Sequence, residues 1–176
     1  MCSHYEPVKD RNKLKDRFKV DDLPDGMMDD MWRGYMGAFV RKHEFADVGD
    51  EAVLEREALL GSFGLIPQWA KIARNTYNPR SETVSDKPSY RDAWRANRKC
   101  IIPAGAIFEP DWRTGKAVPT RISRADGEPM GIAGLWSAWR SPAGEVMHSY
   151  TMLTINADAH PPKKLFHKPD DENAWW

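Results

Sequence analysis

Apolar and polar positions along the chain alternate at two spacings. Between residues 9 and 19 (KDRNKLKDRFK) only Leu14 and Phe18 are apolar, four apart, which predicts a short exposed helix with a narrow apolar stripe. Residues 21–30 carry five aspartates with Pro24 and Gly26 and read as an acidic loop. The alternation in residues 32–42 (WRGYMGAFVRK) predicts a strand. Residues 56–66 (REALLGSFGLI) are apolar but interrupted by Gly61 and Gly64, which favours strand over helix. Residues 87–98 (KPSYRDAWRANR) predict a second helix capped by Ser89. Tyr90, Ala93 and Trp94 would share one face, with Arg91, Arg95 and Arg98 on the other. Beyond it, residues 100–109, 120–129, 130–139 and 148–157 read as strands joined by turns such as ADGE and SPAGE. This order predicts an α+β fold, a mainly antiparallel, barrel-like sheet surrounded by short helices, in a single domain over residues 1–176.

Composition narrows the function classes. The balance of 41% hydrophobic and 30% charged residues is that of a globular chain, not a disordered one. No apolar run approaches the length of a membrane span, and the opening MCSHYEPVKDR is too polar for a signal peptide. Two cysteines, Cys2 and Cys100, do not make a disulfide framework, so a reducing, cytoplasmic setting is expected. The scattered histidines and cysteines lack zinc-ligand spacing, and there is no P-loop or dinucleotide fingerprint, so neither metal nor cofactor is expected.

The formal net charge is zero, but residues 71–100 hold eight basic against three acidic side chains. A neutral protein with one basic stretch can grip a phosphate backbone locally without coating nucleic acid in general. Trp69, Tyr77 and Trp112 flank basic residues in sequence, which fits a groove that tracks phosphates and stacks bases. A solvated helix face accounts equally well for Arg91, Arg95 and Arg98.

Cys2 directly follows the initiator methionine. Removal of Met1 would leave an α-amine and a thiol on one carbon frame. The amine can condense with an aldehyde, and the thiol can then close a five-membered thiazolidine. Ordinary pKa values of about 8 and about 8.5 leave part of each in reactive form at neutral pH.

Four collinear segments carry a family resemblance: MCSHY, Asn78-Pro-Arg-Ser-Glu-Thr83, the strand from Cys100 to Phe108-Glu109-Pro110-Asp111-Trp112, and Phe166-His167-Lys168-Pro169. The chain resembles the SOS response-associated peptidase family, whose members crosslink to abasic sites in single-stranded DNA. The resemblance implies a DNA damage-response enzyme with Cys2, Asn78, Glu109 and His167 as catalytic residues. Cys2 would form the adduct, and Glu109 would relay protons once apolar neighbours raise its pKa. His167 would promote opening of the sugar, and Asn78 would hold the Cys2 amine or a sugar hydroxyl. Arg80 would grip a flanking phosphate, with Trp69, Arg91, Arg95, Trp112 and Thr154 completing the DNA contacts. Autocatalytic removal of Met1 and an abasic-site lyase activity are further implications. The expected partner is single-stranded DNA with abasic sites, bound by a monomer that joins the nucleoid only through that DNA.

The sequence departs from the family pattern in places. Ser3 and His4 stand where Gly-Arg is usual, Pro110 follows Glu109 where an aromatic is common, and relatives usually continue past the position of Trp176. Two other readings fit the residues: an N-terminal-nucleophile cysteine peptidase, and a non-catalytic single-strand-binding module.

Overall fold

The computed structural model describes residues 4–155. Ten elements follow one another: β1 (His4–Pro7), α1 (Arg11–Phe18), β2 (Met31–Trp32), β3 (Met36–Lys42), β4 (Arg56–Phe63), α2 (Arg91–Arg95), β5 (Lys99–Asp111), β6 (Val118–Ile122), β7 (Met130–Arg140) and β8 (Val146–Met152). Strands β5, β3, β4, β8 and β7 hydrogen-bond in that order, and β7 returns to β5, closing a five-stranded barrel. Strands β1, β2 and β6 extend from the C-terminal half of β5. All pairings are antiparallel except β4–β8, where Ser62 faces Ser149 and Phe63 faces Tyr150. The α+β, barrel-like architecture follows the expected pattern, with only two short helices among the described residues. Neither is long and apolar enough to cross a membrane.

Helix α1 forms for the reasons legible in its sequence. Asp10 caps it by accepting hydrogen bonds from the backbone N–H of Asn12 and Lys13 at 2.9 and 3.1 Å. Leu14 and Phe18 are buried, and they pack with Val8, Val20, Leu23 and Val40. Helix α2 is shorter than the predicted 87–98. The cap position is held by Tyr90, without a side-chain bond, and not by Ser89. Asn97 takes a left-handed φ of 53° that ends the helical path before the arginine run is complete.

Two strand expectations are corrected. The segment 32–42 is divided at Gly34, whose φ of 83° turns the chain between β2 and β3. Residues 120–129 contribute β6 only as far as Ile122; the rest is a turn that passes through Gly127 at φ 71°. Strand β1 was not anticipated, because four residues (HYEP) offer no period long enough to recognise. Long-range pairing creates it: Tyr5 lies opposite Ile107 on β5 and Met31 on β2.

The barrel interior is aromatic. Tyr5, Met31, Phe39, Phe63, Ile102 and Tyr150 are buried together, and the hydroxyls of Tyr5 and Tyr150 meet at 2.6 Å. Burial, with Tyr5 beside it, pushes the Tyr150 phenol well above its ordinary range, so it stays neutral. Close strand approach demands glycine at one point on β7. A Cβ on Gly134 would lie 2.6 Å from the Thr151 carbonyl oxygen and 3.0 Å from the Cys100 sulfur. The first of these neighbours is backbone and cannot rotate away. Gly134→Ala is expected to cost about 1–3 kcal/mol through overpacking, measured by urea denaturation; an unchanged midpoint would refute this close approach.

Candidate functional site

Residues 77–81 are laid along the end of β8 by an isolated parallel bridge between Arg80 and Thr154. The Thr154 backbone N–H and hydroxyl both donate to the Pro79 carbonyl, at 2.9 and 3.2 Å, and the Ser81 N–H donates to the Thr154 carbonyl at 2.8 Å. The Asn78 N–H donates to Thr151 Oγ1 at 3.2 Å. Asn78 itself takes a left-handed φ of 51°. Proline at position 79 disfavours a right-handed helical conformation for its predecessor, and asparagine tolerates the left-handed one better than most residues. The staple therefore fixes a strained residue. Its side-chain amide is buried, and among the described residues neither Oδ1 nor Nδ2 has a hydrogen-bond partner. A buried amide in that condition costs about 1–3 kcal/mol, which marks the position as one not chosen for stability.

Glu109 lies on β5 opposite Thr120 of β6, with its side chain only 1% exposed. Strand alternation places it on the face shared by Ile107 and, across the β1–β5 pairing, Tyr5. The next side chain back, Phe108, points to the other face and begins a column of rings. Phe108 stacks on His4 with centroids 4.1 Å apart, and His4 stacks on Trp32 at 4.0 Å, both at 10° between planes. Asp30 ties the outer two rings together, with one oxygen 2.6 Å from His4 Nε2 and the other accepting the Trp32 Nε1–H at 2.9 Å. Burial alone would raise the Asp30 carboxyl. The hydrogen bonds from His4 and Trp32, with His4 and Lys9 nearby, hold it below the ordinary carboxylate range.

The turn after Trp32 connects the two halves. The Arg33 guanidinium lies over the Tyr77 ring, 4.7 Å from its centroid, and Tyr77 precedes Asn78. Partial burial raises the Tyr77 phenol, and Arg33 opposes that rise. Contacts therefore run from the residue beside Glu109, through His4, Trp32 and Arg33, to the residue beside Asn78.

The site residues expected from sequence fall into groups. Asn78, Arg80 and Thr154 come together in the stapled strip. Glu109 lies on the opposite face of β5 from the ring column, and its chain neighbour Phe108 carries that column. Trp69 is 59% exposed, its indole N–H donates to the Pro88 carbonyl at 3.2 Å, and Tyr90 donates to the Tyr77 carbonyl at 2.9 Å, which docks this region beside Asn78. Arg91 and Arg95 are exposed on α2, with Arg91 3.6 Å from Asp92. The expected three-arginine face is not formed, because Arg98 lies beyond the helix and its guanidinium sits 5.3 Å from the Trp136 ring centroid. Trp112 is half-buried just past the end of β5, beside the Asp111–Arg113 ion pair. Cys2 and His167 lie outside the described residues. Sequence reasoning missed His4, Asp30, Trp32 and Arg33 as site components; the one signal was His4 standing in place of an arginine. Cys100 is a core residue as expected, and burial pushes its thiol far above the ordinary range.

Comparison with known proteins places these features in context. The family model described as SOS response associated peptidase (SRAP) matches residues 1–167. Abasic site processing protein YoqW of Bacillus subtilis is 32% identical over 124 residues, covering 64% of this chain and 54% of that protein. Abasic site processing protein HMCES of Mus musculus is 24% identical over 127 residues, covering 54% of this chain and 36% of that protein. The chain thus spans about half the length of the first of these relatives and about a third of the second. A crystal structure of a protein from Bordetella bronchiseptica superposes with a TM-score of 0.83 at 45% identity, covering 96% of this chain and 79% of that one. A protein from Bacteroides thetaiotaomicron shares the fold at 17% identity, with a TM-score of 0.73.

Two outcomes follow from the burial pattern. Asn78→Gly removes the amide yet permits the left-handed φ, so it is expected to leave stability unchanged or raise it by up to about 1 kcal/mol in urea denaturation; a loss beyond that would mean the amide is a structural tie. Cys100 is expected to resist iodoacetamide at neutral pH in the folded protein and to react on denaturation, as read by peptide mass mapping. Rapid labelling of native Cys100 would contradict its burial.

Proposed function

The chain belongs to the SOS response associated peptidase family, and on that footing we propose that it captures abasic sites in single-stranded DNA as a covalent adduct of Cys2. The observation that carries this reading is the Asn78 amide, buried without a hydrogen-bond partner among the described residues at the position of the family's Asn-x-Arg-x-Glu-Thr pattern. A residue held in strained backbone with an unsatisfied amide suits a group reserved for a substrate. The deep burial of the Glu109 carboxyl, in the strand that matches the family's catalytic glutamate, supports the same conclusion.

The chemistry proceeds in balanced steps. With Met1 removed, the Cys2 amine attacks C1′ of the open-chain aldehyde and forms a carbinolamine. Glu109 accepts the proton lost by the amine and returns it to the departing hydroxyl, so water leaves and an imine remains. The Cys2 thiolate adds to the imine carbon, the nitrogen takes up a proton, and a thiazolidine closes. One water is released overall. His167 would act on the sugar oxygen during ring opening, and Asn78 would orient the amine or a sugar hydroxyl. Arg80 and the exposed Trp69 would hold the flanking strand through phosphate and base without reading sequence. The same nucleophile and acid would remove Met1, and the imine opens a route to β-elimination and lyase activity.

Intact mass after incubation with a single-stranded abasic oligonucleotide tests the reading. The expected product is protein plus oligonucleotide minus one water. It should be absent for Cys2→Ala and formed about 10²–10⁴-fold more slowly by Glu109→Gln, in keeping with loss of a proton relay. Its rate at limiting DNA should fall as salt rises. An adduct that forms equally well with Cys2→Ala would overturn the proposal. Cleavage of a peptide by Cys2 with no adduct on DNA would favour the peptidase reading.

A further inference from the structure

Trp32 ends a column of rings on an open face. His4 is covered on both sides, by Phe108 and by Trp32, with all three rings within 10° of parallel at each contact. Trp32 spends one face on His4 and is still 45% exposed, so its outer indole face meets solvent. We infer that this face is a stacking platform for the unpaired base that neighbours the abasic sugar, an inference that rests on the abasic-DNA reading above.

Three observations identify the occupant as a nucleobase. First, the exposed end of the column adjoins Arg33, whose guanidinium lies over Tyr77 beside Asn78, so a ring added to Trp32 sits next to the residues that approach the buried Asn78 amide. An abasic site leaves the adjacent bases without a stacking partner on one side, and an indole face replaces it. Second, the indole cannot turn away. Its N–H donates to Asp30 at 2.9 Å, and Asp30 is also tied to His4 at 2.6 Å, so little conformational freedom remains to be lost on binding. Third, charge sorts the ligand. The Asp30 carboxylate at the rim disfavours a phosphate or carboxylate over the indole, whereas a flat uncharged ring meets no such penalty. The cation for the backbone of that nucleotide is the next residue, Arg33, held over Tyr77 beside Asn78.

The test uses oligonucleotides with a tetrahydrofuran abasic analogue, which binds but cannot form an imine, and with 2-aminopurine placed on its 5′ or its 3′ side. Wild-type protein is expected to quench 2-aminopurine at one of the two positions. Trp32→Ala should abolish that quenching and weaken binding about tenfold, within the range measured for removal of a base-stacking aromatic. Trp32→Phe should recover most of both. Replacing the quenched base by a second abasic analogue should erase the difference between wild type and Trp32→Ala, which a merely structural role for Trp32 would not do. Absence of quenching on either side, or equal quenching by Trp32→Ala, would overturn the platform. The two levels separate cleanly: if wild type forms no adduct with reactive abasic DNA, the covalent reading has failed. If it forms the adduct while Trp32→Ala binds and quenches like wild type, only the platform has failed.

Discussion

Strand β5 has four neighbours to satisfy, and the rest of the molecule follows from how it does so. Its first half, Lys99–Ala104, pairs with β7 and touches β3 through Ile101, which closes the barrel. Its second half pairs with β1 through Ala104, Ala106 and Ile107 and with β6 from Ile107 to Asp111. Where the partners change, the residues are Pro103, Ala104, Gly105 and Ala106, and both alanines are fully buried. Small side chains let strands crowd there, and a register shift on β1 between Glu6 and Pro7 absorbs the mismatch. Thirteen residues of one strand therefore both close the core and deliver Glu109 past the barrel wall.

Placing a carboxyl on such a strand has a physical logic. A loop would leave Glu109 open to solvent, whereas a strand paired with β6 at Thr120 fixes the direction of the side chain and keeps it buried. The Asn78 strip achieves the same end differently. Its backbone is pinned by Thr151 and Thr154, so the strained conformation persists while the amide stays uncommitted. Rigid surroundings offset the backbone strain at Asn78.

The outer part of the ring column is held by a shared carboxylate. Asp30 binds His4 and Trp32 at once, so the short strand β2, only two residues long, is anchored by side chains as much as by its backbone. This arrangement accounts for how a histidine can stand near the amino terminus where an arginine is usual: the imidazole is a flat layer in a stack, a role a guanidinium could also fill. The two outermost layers then differ in what they can meet, protein on one side and solvent on the other.

By itself the sequence determined the local elements whose cause is local. Leu14 and Phe18 set α1, the alternation after residue 130 set β7 and β8, and Cys100 announced itself as an apolar strand residue. The order of motifs from Asn78 to Glu109 carried the family and the mainly antiparallel sheet. What only tertiary structure decided has the opposite character. Strand β1 exists because Tyr5 finds Ile107 about a hundred residues away, and no period in four residues can announce that. Helix α2 stops early at the left-handed Asn97, and Arg98 beyond it sits near the Trp136 ring on β7 and not on the basic face. His4, Asp30, Trp32 and Phe108 are scattered over the chain and become one column only after β1 is inserted between β2 and β5. Periodicity reports contacts a few residues apart, whereas stacking, strand insertion and the burial of Glu109 depend on pairings that no local window contains.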